Sequence, residues 1–237
     1  MKIKGLFILT GIIVIMLGSC AKSSIKNAKM KSNEDSLSYA FGIVNYNALM
    51  ADSLTLNPAI VAKAMLDGKE GKAVMTDEIA RGFIMTFINN RETAKAAQQA
   101  ELNKVTYKEY ITANESFLAE NKKKPGVSET VSGLQYEVIK MGTGPTPTAE
   151  TTVKVHYVGT LIDGTEFDSS VKRNEPATFP VSGVIPGWTE ALQLMPVGSK
   201  FKLFIPQSIA YGAAGAGEII KPYSTLIFEV ELLEIVQ

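Results

Sequence analysis

Few residues of this chain could do covalent or proton-transfer chemistry. Among 237 residues there is one cysteine, Cys20, and one histidine, His156. Cys20 ends a short N-terminal leader, so the fold is expected to have no thiol nucleophile and no intramolecular disulfide. Without a His or Cys cluster, a transition-metal site is not expected. His156 lies in Thr151-Thr152-Val153-Lys154-Val155-His156-Tyr157, where alternation sends it with Lys154 to the side opposite Val153, Val155 and Tyr157. It could be a general base, but a lone strand histidine is more usually a surface or boundary residue. What remains is a stretch that can build an apolar pocket, Val184-Ile185-Pro186-Gly187-Trp188. Pro186 and Gly187 take an extended segment into a short helix with a tryptophan at its start.

The elements around that stretch supply matching faces. Trp188, Ala191, Leu192 and Met195 recur at helical spacing, and Pro196 with Gly198 stops the helix within about two and a half turns. Period-two alternation separates Phe201, Leu203 and Ile205 from Lys200 and Lys202, and Leu226, Phe228, Val230 and Leu232 from Glu229 and Glu231. Tyr157 and Phe228 therefore face inward. A half-wrapped antiparallel sheet with one helix in its concavity leaves an apolar, aromatic-floored pocket at the N-terminal end of that helix.

The runs Val155-His156-Tyr157-Val158-Gly159, Leu161 to Ser170 with its Asp163-Gly164-Thr165-Glu166-Phe167-Asp168, Val184 to Trp188, Ile205-Pro206, Ala210-Tyr211-Gly212 and Leu226 to Leu233 resemble the FKBP-type peptidyl-prolyl isomerase domain in order and spacing. The resemblance covers roughly residues 125–237. It implies that Tyr157, Phe167, Val184, Ile185, Trp188 and Phe228 form a proline pocket with Trp188 beneath the ring. It also implies that Tyr157 and Arg173 hold Asp168, its carboxylate facing the reacting amide. Taken alone, Asp168 with Arg173 reads equally as a surface ion pair. The Ile185 N–H and the Tyr211 hydroxyl would bind carbonyls of an extended peptide, and Phe179, Ile219 and Ile220 are further substrate-binding candidates.

The implied reaction needs neither cofactor nor metal. Resonance opposes twisting of an Xaa-Pro amide and leaves a barrier of ~18–20 kcal/mol. Twisting removes the resonance and its charge separation, so a dry apolar site disfavours the planar ground state relative to the twisted one. Lowering the barrier by ~5 kcal/mol gives several thousandfold. Three departures from the family bear on the rim. Ala177 stands where many relatives carry an aromatic, with Phe179 two residues on as a partial substitute. Ala216 replaces a larger residue, and Lys221 precedes Pro222 where a Pro-Pro pair is common. A flatter rim with weak macrolide binding is the expectation. The glycines of Tyr211-Gly212-Ala213-Ala214-Gly215-Ala216-Gly217 also suggest a phosphate loop, but no Gly-Lys-Ser/Thr ending or amphipathic helix follows.

Upstream, the chain divides by composition. Residues 1–20 read as a lipoprotein leader: Lys2 and Lys4, an apolar core from Leu6 to Leu17, then Leu17-Gly18-Ser19-Cys20, with Cys20 as the site of lipidation and the protein anchored in the bacterial cell envelope. Residues 21–33 read as a flexible tether whose lysines lie in solvent or against anionic headgroups. Residues 34–90 carry three amphipathic helices, the first capped by Asp35 or Ser36, the second starting at Pro58 and the third at Thr76-Asp77-Glu78. Their core is thin for an independent domain. Met65, Phe41, Phe83 and Phe87 either pack internally or complete a homodimer seam, and this region resembles the dimerisation segment of the macrophage-infectivity-potentiator branch. Residues 91–124, free of Gly and Pro from Arg91 to Asn121, read as one long connecting helix, continuous or not with the third, acting as a rod. Residues 125–237 are the isomerase domain.

The fold class expected is therefore α+β, helices first and sheet last. The 24 basic and 24 acidic residues leave no electrostatic footprint for nucleic acid. Two functions follow: a prolyl isomerase acting on proline-containing exported or unfolded proteins, or a membrane-tethered dimeric chaperone clamp in which isomerisation is secondary.

Overall fold

The structure, a computed structural model, describes residues 28–51 and 54–236. Cys20, the rest of the expected leader and residues 21–27 of the expected tether lie outside the described residues. The described residues fall into two compact units that divide between Met85 and Thr86.

The first unit holds α1 (Asn33–Ala51), α2 (Pro58–Lys69) and the start of α3 (Asp77–Thr106). Ser32, and not Asp35 or Ser36, caps α1. The Asp35 amide donates to Ser32 Oγ (3.2 Å) while Asp35 Oδ2 accepts from the Ser32 amide (3.1 Å). This reciprocal capping box satisfies two helix-end donors and starts the helix earlier than either candidate alone would. Asn57 Oδ1 accepts from the Ala59 amide at 3.0 Å, with Pro58 at the first position of α2. Thr76 Oγ1 does the same for Ile79 at 3.3 Å. Neither α2 nor α3 carries a buried residue. Leu37, Phe41 and Phe83 are 72%, 59% and 66% exposed, so one copy of this unit does not pack them internally.

Helix α3 joins the expected third helix to the start of the connecting segment in 30 residues. The expected unbroken helix from Arg91 to Asn121 does not form. It is interrupted at Tyr107 (φ −101°, ψ 20°), and α4 (Lys108–Asn121) follows. No Gly or Pro causes the break; tertiary packing does. Helix α4 lies on the outer face of the sheet, with Phe117 and Phe204 rings 6.1 Å apart and Asn114 and Asn121 buried. Residues 108–121 are thus part of the second unit's packing and not a free rod. Buried Asn114 uses both ends of its amide, Nδ2 donating to the Tyr110 carbonyl (2.8 Å) and Oδ1 accepting from the Thr225 amide (2.8 Å).

The second unit is built on seven strands: β1 (Val127–Glu129), β2 (Gln135–Lys140), β3 (Thr152–Thr160), β4 (Glu166–Ser169), β5 (Ala177–Pro180), β6 (Lys200–Ile205) and β7 (Leu226–Val236). They pair antiparallel in the order β1-β2-β6-β7-β3-β4, with β5 on the first half of β3. The α+β class holds. Alternation is as expected on the concave face. Val153, Val155, Tyr157, Phe201, Leu203, Ile205, Leu226, Phe228, Val230 and Leu232 are all buried there. Helix α5 (Pro186–Leu192) covers that face through Trp188, Ala191 and Leu192, and buried Met195 follows in the turn beyond it. Gly187 permits the contact: a Cβ there would lie 2.4 Å from Ile205 Cγ2. The missing side chain lets α5 sit directly on β6 and brings Trp188 to the sheet.

Candidate active site

A cavity of about 700 Å³ opens at the N-terminal end of α5. Trp188, 4% exposed, lies at its base. Three rings stand edge-on to the indole: Phe228 at 5.1 Å and 85°, Tyr157 at 5.3 Å and 90°, and Phe179 at 6.0 Å and 83°. Edge-to-face packing aims the positive ring edges at the electron-rich face of a neighbour and fixes their orientation. Phe167 extends the cluster, 5.4 Å from Phe228 at 85°.

Phe167 and Asp168 are consecutive in β4, yet both line the cavity. Plain alternation forbids this. Pairing explains it: Gly159 pairs with Asp168 and Thr160 with Glu166, leaving Phe167 as an extra residue. Such a bulge turns two successive side chains toward one side. Gly159 makes room for the result, because a Cβ there would come within 2.6 Å of Phe167 and 2.8 Å of Phe228 ring atoms.

The Asp168 carboxylate stands at the edge of this aromatic wall. The Tyr157 hydroxyl donates to Asp168 Oδ2 and Arg173 donates from Nη1 to Asp168 Oδ1. Arg173 Nη2 also donates to the Tyr157 hydroxyl at 3.0 Å. Burial by itself pushes the Asp168 carboxyl up; the hydrogen bonds from Tyr157 and Arg173 and the guanidinium charge together outweigh it and hold the group below the usual carboxylate range. Burial, then the bond to Asp168, pushes the Tyr157 hydroxyl up. The cavity thus keeps a carboxylate and a phenol, not a phenolate and an acid.

The other wall is the segment after β6. Tyr211, Ala216, Gly217, Glu218, Ile219 and Ile220 line it. Gly215, at φ +69°, lets the segment fold back, for a Cβ there would meet the Ile220 carbonyl at 2.4 Å. Ala216 and Ile220 then exchange backbone hydrogen bonds of 2.8 and 3.2 Å.

Residues 143–233 match the family of the FKBP-type peptidyl-prolyl cis-trans isomerase, and residues 34–138 match the domain amino terminal to it. The chain is 48% identical over 219 residues to an FKBP-type peptidyl-prolyl cis-trans isomerase FkpA of Aeromonas hydrophila, covering 88% of this chain and 78% of that one. It belongs to the FKBP-type peptidyl-prolyl cis-trans isomerases. The outer membrane protein MIP of Legionella longbeachae is 40% identical over 99% of this chain and 98% of its own. A crystal structure of a peptidyl-prolyl cis-trans isomerase from Pseudomonas syringae pv. tomato, 45% identical, covers 55% of this chain and 96% of its own with a TM-score of 0.52.

In this FKBP-type chain the cavity gathers eleven sequence candidates, Tyr157, Phe167, Asp168, Phe179, Val184, Ile185, Trp188, Tyr211, Ile219, Ile220 and Phe228. Arg173 joins them through Asp168. Ala177 packs against the core and is not among the lining residues. Lys221 does not reach the rim either, its Nζ sitting 5.5 Å over the Tyr110 ring. Ala216 does line the cavity. His156 Nδ1 lies 3.1 Å from buried Ser170 Oγ, outside the cavity lining. Sequence reasoning missed Ser170, whose Oγ accepts from the Tyr157 amide at 2.7 Å and pins the strand behind the ring. It also missed Gly159; a small residue in mid-strand was the available signal. Among the described residues no group of acidic, His or Cys side chains could hold a metal ion.

Two measurements check this geometry. Gly159→Ala forces Phe167 and Phe228 apart and should lower kcat/KM by about tenfold or more, since overpacking costs ~1–3 kcal/mol; an unchanged value would show that the rings need no such fit. The pH dependence follows from the shifts. The depressed Asp168 keeps its charge at any pH above its lowered value, and the raised Tyr157 keeps its proton past its usual range. Stability from the bonded carboxylate is complete above the unfolded Asp value and lost as pH falls through the folded one. Activity should therefore be flat from about pH 5 to 9 and fall only in acid. An inflection near neutrality would contradict the assignment.

Proposed function

We propose that this isomerase accelerates cis-trans interconversion of Xaa-Pro bonds by holding the proline ring over Trp188 and favouring the twisted amide. The observation that carries the reading is the Asp168 carboxylate, held ionised by two donors, beside the aromatic base of the cavity. The planar amide carries resonance charge separation that an apolar site solvates poorly, and the twisted amide has lost it. Tyr157, Phe167, Val184, Ile185 and Phe228 would enclose the ring, while Phe179, Ile219 and Ile220 contact the flanking residues. The Asp168 carboxylate faces the reacting amide. Tyr211, 43% exposed, would donate its hydroxyl and Ile185 its N–H to carbonyls of the extended peptide. No bond to the protein forms and no proton moves.

The test is isomerisation of a short Xaa-Pro peptide by the chain lacking residues 1–20, beside Asp168→Ala and Trp188→Phe variants whose folding has been checked. Both substitutions should lower kcat/KM by about 10–100-fold, the loss of roughly 1.4–2.8 kcal/mol of transition-state stabilisation. Full activity in either variant would remove that residue from the mechanism.

We further propose that the protein works as a lipid-anchored homodimer in the bacterial cell envelope, on exported proteins. The anchoring reading rests on the leader ending at Cys20 and on likeness to a relative named an outer membrane protein. Among the described residues no helix is long and apolar enough to cross a membrane. The dimer reading rests on the uncovered apolar side chains of α1 to α3, Leu37, Phe41, Met65, Phe83 and Phe87, which a second copy would bury. Those same side chains support a second reading, in which they hold unfolded clients. Sedimentation separates the two. A dimer that Phe41→Glu and Phe83→Glu dissociate, with peptide isomerisation unchanged, is the expected result; a wild-type monomer would favour client holding.

A further inference from the structure

Of the two walls of the cavity, one is built on paired strands and α5 and the other on the segment 211–223, which lies outside every strand. That segment supplies Tyr211, Glu218, Ile219 and Ile220 to the lining. Its internal bonds close it on itself: Ala216 with Ile220, and the Tyr223 amide to the Gly212 carbonyl at 2.8 Å. On its inner side the Gly212 amide donates to the Gln207 carbonyl at 3.0 Å and Ile220 packs against the core. On its outer side it meets helical residues more than a hundred positions earlier. Asn103 Nδ2 donates to the Ala213 carbonyl at 2.9 Å, and the Tyr223 hydroxyl donates to the Ala100 carbonyl at 2.9 Å. Tyr110 and Ser224 hydroxyls lie 3.0 Å apart.

Two details mark these contacts as built. Asn103 Oδ1 accepts from Gln99 Nε2 at 2.9 Å, which orients the amide so that Nδ2 is the end offered to the wall. Tyr223 has φ +65°, a left-handed conformation that a bulky side chain adopts only where its surroundings hold it. Here the amide is tied to Gly212 and the hydroxyl to Ala100.

We infer that the end of α3 and the start of α4 are the outer brace of the substrate-binding wall, with Asn103 and Tyr223 as positioning residues for the isomerase site. They touch no substrate. They set the fraction of molecules in which Tyr211, Ile219 and Ile220 stand where a peptide can use them. Loosening the brace lowers that fraction, and apparent affinity falls in proportion. The side-chain bonds of Asn103 and Tyr223 go to none of the elements that carry the floor, Trp188, Tyr157, Asp168 and Phe228, so turnover of bound substrate is retained. The inference rests on the isomerase reading of the cavity for its kinetic arm only.

The experiment uses the chain lacking residues 1–20 and the double variant Asn103→Ala/Tyr223→Phe, which removes both hydrogen bonds from the helix to the wall, together with the Gln99–Asn103 bond, and no lining residue. KM for a short Xaa-Pro peptide should rise about threefold or more with kcat within about twofold. Amide hydrogen exchange at Ala216 and Ile220 should quicken, while the unfolding midpoint followed by Trp188 fluorescence stays in place. Exchange and KM both unchanged would overturn the inference, as would a fall in kcat at constant KM. Should the wild-type chain prove inactive, exchange alone decides, so failure of the brace and failure of the isomerase reading remain distinct.

Discussion

Three aromatic rings packed edge-on against Trp188, at 5.1 to 6.0 Å, set the geometry on which the second unit depends. They come from β3, β5 and β7, while the indole comes from α5, so the contact exists only when the sheet has curved and the helix has docked. Each buried aromatic contributes a large apolar area, and the edge-to-face pairs add ~0.5–1.5 kcal/mol each beyond it. The close approach at Gly187 and Ile205 is what lets the helix reach that depth. The cavity is therefore a by-product of the core: its base is the core's outermost layer.

Placing a carboxylate beside such a surface is costly unless it is bonded. Asp168 meets that cost with a phenol and a guanidinium, and those two donors also decide its charge. The bulge at Phe167 is what brings carboxylate and ring to the same side. A regular β4 would send one of them to solvent, so the site depends on an irregularity of one residue in the strand.

Most of the concave face was legible because alternation in β3, β6 and β7 is strict, and the cavity lining was legible because the motif residues fall in family order. The outer face was not. Phe204 reads as a polar-side position in Lys200 to Ile205, and nothing local shows that Phe117 will cover it. The break at Tyr107 escaped for the same reason: propensity favours helix throughout, and tertiary packing overrides it. The cap at Ser32 is a reciprocal pair with Asp35, which the apolar stripe beginning at Leu37 does not signal. Ser170 and Gly159 act on backbone and ring placement, which composition does not display.

The helices before the isomerase unit thus have two different relations to folding. Residues 108–121 complete its outer face, whereas α1, α2 and the first turns of α3 leave their apolar side chains uncovered in one copy. The central claim concerns the cavity: an aromatic site with a fixed carboxylate is proposed to speed rotation about an amide without moving a proton. The solvent deuterium isotope effect on kcat/KM, measured at a pH where Asp168 is ionised and Tyr157 protonated, tests that most directly. A ratio near unity is the predicted result. A ratio well above unity would place a proton transfer in the rate-determining transition state and contradict the account.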